Sequence, residues 1–135
     1  MTVHKFRSRA DGMNRRKPLW ICSSCQTQHR LKPVQCTKCS KPVKYFATTI
    51  EARRYLELIL MESCGTIQDL ECQPIYPIII NDVRICKYVA DFSYVENGYE
   101  IVEDVKPKGF IDRIAAMKIK CVEAQYSIKV TIVER

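Results

Sequence analysis

The sequence predicts a mixed α/β (α+β) fold, a β-sheet flanked by helices, preceded by a small four-cysteine segment. Three observations predict it. Cys22, Cys25, Cys36 and Cys39 form two C-x2-C pairs inside a basic front. A helix-period stretch from Thr48 to about Ser63 gives way, after Leu70, to β-branched and alternating texture. A second helical stretch over 110–124 precedes one more strand over 126–134. The order helix, strands, helix, strand fits a mixed sheet.

Each element has a local reason. Thr48 and Glu51 match the S/T-x-x-E capping box, which opens the first helix, and Gly65 follows its end. Ile75–Ile80 is apolar and β-branched but carries Pro77, which suits an edge or a bulge. Arg84–Val95 and Tyr99–Lys106 alternate on either side of Asn97-Gly98, a strong two-residue turn signal. Pro107-Lys108-Gly109 then breaks the strand pattern. No internal repeat or low-complexity segment interrupts the chain.

At 135 residues the chain suffices for one domain with a modest core. No run of eighteen apolar residues is present, so no membrane partner is expected. The opening MTVHKFRSRADG has no apolar signal region, so a cytoplasmic protein is expected. Net charge is +7 and unevenly placed. Residues 1–48 hold eleven Lys/Arg against one acid, and residues 49–135 hold eleven against fourteen. A basic front on a slightly acidic body points to a polyanion partner, with a solubilising tail as the plain alternative. Arg15, Arg16 and Lys17 on the arm, and Arg30, Lys32 and Lys38 on the cysteine segment, are the candidate nucleic-acid contacts.

The spacing C-x2-C-x10-C-x2-C lets two turns present four thiolates to one tetrahedron, the closed geometry of structural Zn²⁺. A redox pair needs one CxxC, and iron–sulfur clusters usually show other spacings. A closed site has no open position, so no catalysis is assigned to it. His29, inside the loop, reads as a surface histidine. Cys64, Cys72, Cys86 and Cys121 read as small buried hydrophobes. The expected division is an arm over 1–19, a zinc ribbon over 20–44 and a core over 45–135.

With Asn97-Gly98 as a two-residue loop, Glu96 pairs with Tyr99 and Asp91 falls opposite Asp104. Lys106 projects from the same face as Asp104. Tyr88, Ala90, Phe92, Tyr94, Ile101 and Val105 then share the other face, with Glu103 as an exception. A three-residue loop would pair Asp91 with Glu103 and put Asp104 and Lys106 among the aromatics, a less coherent pattern. Facing carboxylates repel, and an oxygen-liganded Mg²⁺ or Mn²⁺ would offset that. A nearby lysine can then serve a metal-bound water, which together makes parts for phosphodiester hydrolysis. The plain alternative is a solvated strand face.

The pattern D-x12-D-x-K resembles the core of the PD-(D/E)XK nuclease superfamily. Around it, EARRYLEL (51–58), QP (73–74), YVADFSYVENG (88–98), VEDVK (102–106) and MKIK (117–120) resemble small phage-encoded endonucleases grouped with Holliday-junction resolvases and endonuclease-I-like enzymes. The resemblance covers about residues 45–135 and not the ribbon. It implies a restriction-endonuclease-like sheet and structure-selective cutting of branched DNA by a homodimer, in the bacterial host cytoplasm if the gene is phage-borne. It implies Asp91, Asp104 and the Val105 carbonyl as Mg²⁺ ligands, with Glu51 adding a carboxylate. Lys106 would orient the attacking water. Lys118, in the middle of the stripe Ile111, Ile114, Ala115, Cys121 and Val122, either touches the scissile phosphate or snorkels at a helix edge. The contrasting expectation is a zinc-ribbon nucleic-acid-binding protein or regulator without catalysis.

Overall fold

The computed structural model describes residues 19–135, so Arg15, Arg16 and Lys17 lie outside the described residues. The chain divides into two compact units, with the boundary between Leu56 and Glu57.

The first unit holds a three-stranded antiparallel sheet in the order β2-β1-β3: β1 Leu19–Cys22, β2 Gln28–His29 and β3 Val43–Phe46. Leu19 pairs with Phe46, Trp20 with both His29 and Tyr45. Aromatic contacts thicken this small sheet: Trp20 meets Tyr45 at 5.3 Å between ring centroids, and Phe46 meets Tyr55 at 4.7 Å. Helix α1, Thr49–Ser63, starts where the capping signal predicts, with the Glu51 N–H donating to Thr48 Oγ1 at 3.3 Å. Ala52, Tyr55 and Leu58 are its buried face.

The second unit contains a four-stranded sheet, β4-β7-β8-β9, and a two-stranded sheet, β5-β6. The strands are β4 Gln68–Cys72, β5 Ile75–Ile80, β6 Val83–Val89, β7 Phe92–Glu96, β8 Tyr99–Lys106 and β9 Val130–Glu134. Helix α2, Arg113–Tyr126, lies between β8 and β9, and β9 runs parallel to β8. Two tight turns fix the hairpins. Asn81-Asp82 and Asn97-Gly98 each place both central residues at positive φ, the type I′ requirement that matches strand twist.

The strand expected over 84–95 is divided. β6 and β7 are separated by Ala90-Asp91, and β4 and β5 by Gln73-Pro74, at the same level of one long hairpin. Pairing continues across the gap. The Ala90 N–H donates to the Pro74 carbonyl and the Gln73 N–H to the Asp91 carbonyl. Gln73 has φ +55° and Pro74 has no N–H to give the ladder, so both strands kink together. The core of this unit gathers Ile78, Tyr88, Ala90, Val102, Val122 and Val130. α2 docks on β5-β6 through Gln125, whose side chain bonds the Pro77 carbonyl and the Ile79 N–H beside the bulge after Ile78.

Two ends differ from expectation. α2 starts at Arg113 and runs on to Tyr126, where Ser127 in the left-handed conformation caps it, so the last strand starts at Val130 rather than 126. The apolar stripe expected on α2 also divides: Ile111 and Ile114 are exposed, whereas Val122 is buried and Ile119 and Cys121 pack on the core. Among the described residues, no helix is long and apolar enough to cross a membrane.

Candidate metal centres and active site

The two cysteine knuckles are built alike. In the first, the Gln26 N–H donates to the Cys22 carbonyl and the Cys22 N–H to the Thr27 carbonyl. In the second, Ser40 and Lys41 repeat both bonds around Cys36. Gln26 and Ser40 both sit near φ +60°, so each chain reverses tightly enough to aim two sulfurs the same way. The four Sγ atoms lie within 4.8 Å of one another, with Cys22–Cys39 at 3.4 Å and Cys25–Cys36 at 3.5 Å. A tetrahedron of ~2.3 Å Zn–S bonds has edges of about 3.8 Å, so the cluster fits a structural zinc ion.

The electrostatics agree. Burial acts to raise the Cys36 thiol, but the Cys39 N–H, the His29 side chain, the Lys38 N–H and Cys25 outweigh it and bring it down to about 5. At Cys39 the Lys41 N–H acts to lower the pKa, yet Cys22, burial, Cys25 and Cys36 push it up to about 12. Four clustered thiols cannot all ionise unaided; one holds the charge and a neighbour keeps its proton. A divalent cation lifts that conflict. His29, read from sequence as a surface residue, proves to reach this cluster, with its Nε2 buried. Its pairing with Trp20 brings it there, a contact that no local pattern announces.

In the second unit, the ladder from Glu96↔Tyr99 to Phe92↔Glu103 has the register expected from the Asn-Gly loop. Asp91 itself leaves that ladder at the kink. Its N–H donates to the Glu103 carbonyl at 3.0 Å, and its side chain crosses over, Oδ2 accepting the Val105 N–H at 2.6 Å. Asp91 is thus tied to the peptide that follows Asp104.

β8 is buried from Val102 to Val105, acids included. Glu103 is offset by Tyr94, whose hydroxyl donates to Oε1 at 2.5 Å. Asp104, 2% exposed, takes two partners: Lys106 Nζ at 3.0 Å from Oδ1, and the Tyr88 hydroxyl at 2.9 Å from Oδ2. Burial, and then the charges of Asp104 and Asp91, raise the Tyr88 pKa, so its hydroxyl stays a donor. Strand alternation alone places Tyr88 on the face away from Asp104; the kink at Ala90-Asp91 changes that phase. Tyr88→Phe is expected to cost about 1–3 kcal/mol of stability, because it leaves a buried carboxylate oxygen short of a donor. Urea unfolding checks this.

An open cleft of about 350 Å³ runs beside this carboxylate, lined by Asp104, Lys106, Tyr88, Ile114, Ala115 and Lys118 among others. The structure therefore brings Lys118 of α2 to the same cleft as Asp104 and Lys106. Glu51 lies in the first unit and the hairpin acids in the second. Arg30, Lys32 and Lys38 are exposed on the ribbon.

Among the described residues, the four cysteines are the one group of three or more side-chain ligands close enough to share an ion. No curated protein and no solved structure gives a significant match to this chain. One family model does match, over residues 34–135, and it spans the second knuckle, both helices and the whole four-stranded sheet. The chain belongs to the family described as "Protein of unknown function (DUF1064)".

Proposed function

We propose that this chain is a Mg²⁺- or Mn²⁺-dependent DNA endonuclease of the PD-(D/E)XK type, with a restriction-endonuclease-like sheet, acting on branched DNA as a homodimer. The observation that carries the reading is the convergence of Asp104, Lys106 and Lys118 on one cleft, with Asp91 tied to Val105 alongside. The mixed four-stranded sheet with a helix before its last, parallel strand supports the fold half of the proposal.

Asp91, Asp104 and the Val105 carbonyl would hold the metal, a donor set that suits an ion which keeps several waters and takes one or two protein carboxylates. The bound metal would polarise the phosphate and acidify a water. Lys106 would turn from Asp104 Oδ1 to orient that water and then steady the charge that develops on the phosphate. Lys118, across the cleft, would hold a non-bridging phosphate oxygen. The basic ribbon would add phosphate contacts whose strength falls with salt. Lys118→Ala is then expected to slow cleavage about 10²-fold with unchanged urea stability, since a positioned cation that meets charge developing at the reaction centre is worth that much. Single-turnover kinetics beside an unfolding curve check it.

A second reading has its own observation. Both Asp104 oxygens already have protein partners, Lys106 and Tyr88, an arrangement equally suited to a nucleic-acid-binding protein or regulator without catalysis. Cleavage of a four-way junction and its matched linear duplex in Mg²⁺ separates the readings. Paired cuts near the branch favour the resolvase-like nuclease. Tight junction binding with no cutting favours the second reading. Equal cutting of both substrates keeps the nuclease and discards structural selectivity.

A further inference from the structure

The ribbon carries a feature that neither zinc binding nor a basic surface explains. Between β2 and the second knuckle, residues 30–35 form a short tip. Its near end is held by His29 in the β1–β2 ladder and its far end by the buried Cys36 of the sulfur cluster. On this tip Leu31 is 85% exposed and Val34 fully so. The two flank Pro33, whose ring fixes its own φ and limits the residue before it. An aliphatic pair on a loop pinned at both ends and stiffened by proline gains nothing from its own fold.

The neighbours say what such a pair would meet. Arg30 and Lys32 bracket Leu31, and Lys38, Lys41 and Lys44 are exposed on the same unit. Across residues 19–56 the acid is Glu51, against seven Lys/Arg. Cations around an apolar point match a nucleic acid, where phosphates surround base faces. Proteins that open base steps use such aliphatic wedges, with basic residues on the adjoining backbone. A branch point is where bases are least well stacked and a small wedge costs least to admit.

We infer that the 30–35 tip is a wedge for branched DNA: Arg30 and Lys32 grip phosphates while Leu31 and Val34 enter an unstacked base step. This rests on the nucleic-acid reading above and adds to it a named element and a mode of contact.

The test uses the full chain and a four-way junction carrying 2-aminopurine at the branch, whose fluorescence rises when it unstacks. Ca²⁺ replaces Mg²⁺ to hold cutting off. Wild type should raise the signal several-fold. The Leu31→Ser/Val34→Ser double variant should keep its full zinc content and bind with the same salt slope, yet lose most of that rise. Leu31→Met/Val34→Ile should restore it. A full rise from the serine variant overturns the wedge and leaves the nucleic-acid reading intact. Junction binding by wild type without any rise does the same. No junction binding by wild type removes both. Loss of binding to vesicles of anionic phospholipid in the serine variant, with DNA behaviour unchanged, overturns the wedge in favour of a lipid surface.

Discussion

Asp104→Ala should lower junction cleavage in Mg²⁺ by about three orders of magnitude while leaving junction binding close to wild type. A metal that polarises a phosphoryl oxygen contributes several kcal/mol to the transition state, and each ~1.4 kcal/mol is tenfold in rate. Asp104 is the buried anchor of the proposed site, fixed on one oxygen by Tyr88 and on the other by Lys106. Without it, Asp91 and the Val105 carbonyl remain, too few ligands to hold the ion in place. Binding should survive because the basic residues of the ribbon stand apart in sequence from β8. The variant also leaves the buried Tyr88 hydroxyl without its acceptor, at a cost of about 1–3 kcal/mol, so its fold must be checked beside its rate. Asp104→Asn gives the cleaner comparison. It keeps an acceptor for Tyr88 and a similar shape but removes the charge that an oxygen-liganded cation requires. Cleavage by Asp104→Asn at the wild-type rate would mean that the hairpin is not the site. A loss of rate that excess Mn²⁺ partly restores would tie the defect to the metal itself.

The hairpin shows how far sequence reasoning reached and where it stopped. Asn97-Gly98 dictates a turn that only positive-φ residues make well, and the register from Glu96↔Tyr99 to Phe92↔Glu103 followed from it. The oddity of Glu103 among aromatic residues was visible too. Its answer, the Tyr94 hydroxyl, lies two residues from its partner Phe92 on the facing strand, and so within a register-based argument. The kink at Ala90-Asp91 was not legible. It depends on Gln73-Pro74, far away in sequence, and a strand pattern carries no sign that its partner will bend. With the kink went the phase of Tyr88 and hence its bond to Asp104. Helix α2 shows the same limit from another side. The wheel put Ile114, Ala115, Lys118 and Val122 on one face, and Ile114, Ala115 and Lys118 indeed line one cleft, with Val122 buried beyond them. It did not separate the half of that face that packs from the half that borders open space, because amphipathic spacing records which side is apolar and not how far the neighbouring sheet extends.

Cys36→Ser should take the protein from about one zinc per chain to near none, and loosen the first unit while sparing the second. Structural zinc supplies roughly 10–16 kcal/mol of apparent binding free energy in small domains, more than a three-stranded sheet with strands of two to four residues can replace. Cys36 is the most telling of the four to remove. It is buried, its thiol is held well below its ordinary value, and its backbone makes both bonds of the second knuckle. Serine preserves those backbone bonds and nearly the same volume, so the effect would report the lost thiolate and not a cavity. Metal content and limited proteolysis read it together: cuts should appear between β1 and β3, leaving a resistant fragment that contains residues 57–135. Acid should reproduce the variant. A thiol held below its ordinary value contributes stability that is present above the ordinary thiol range and is lost as pH falls through about 5. Zinc competes with protons for all four thiolates, so metal content should fall as the solution is acidified. A Cys36→Ser protein that keeps its full zinc content would mean the ion sits elsewhere.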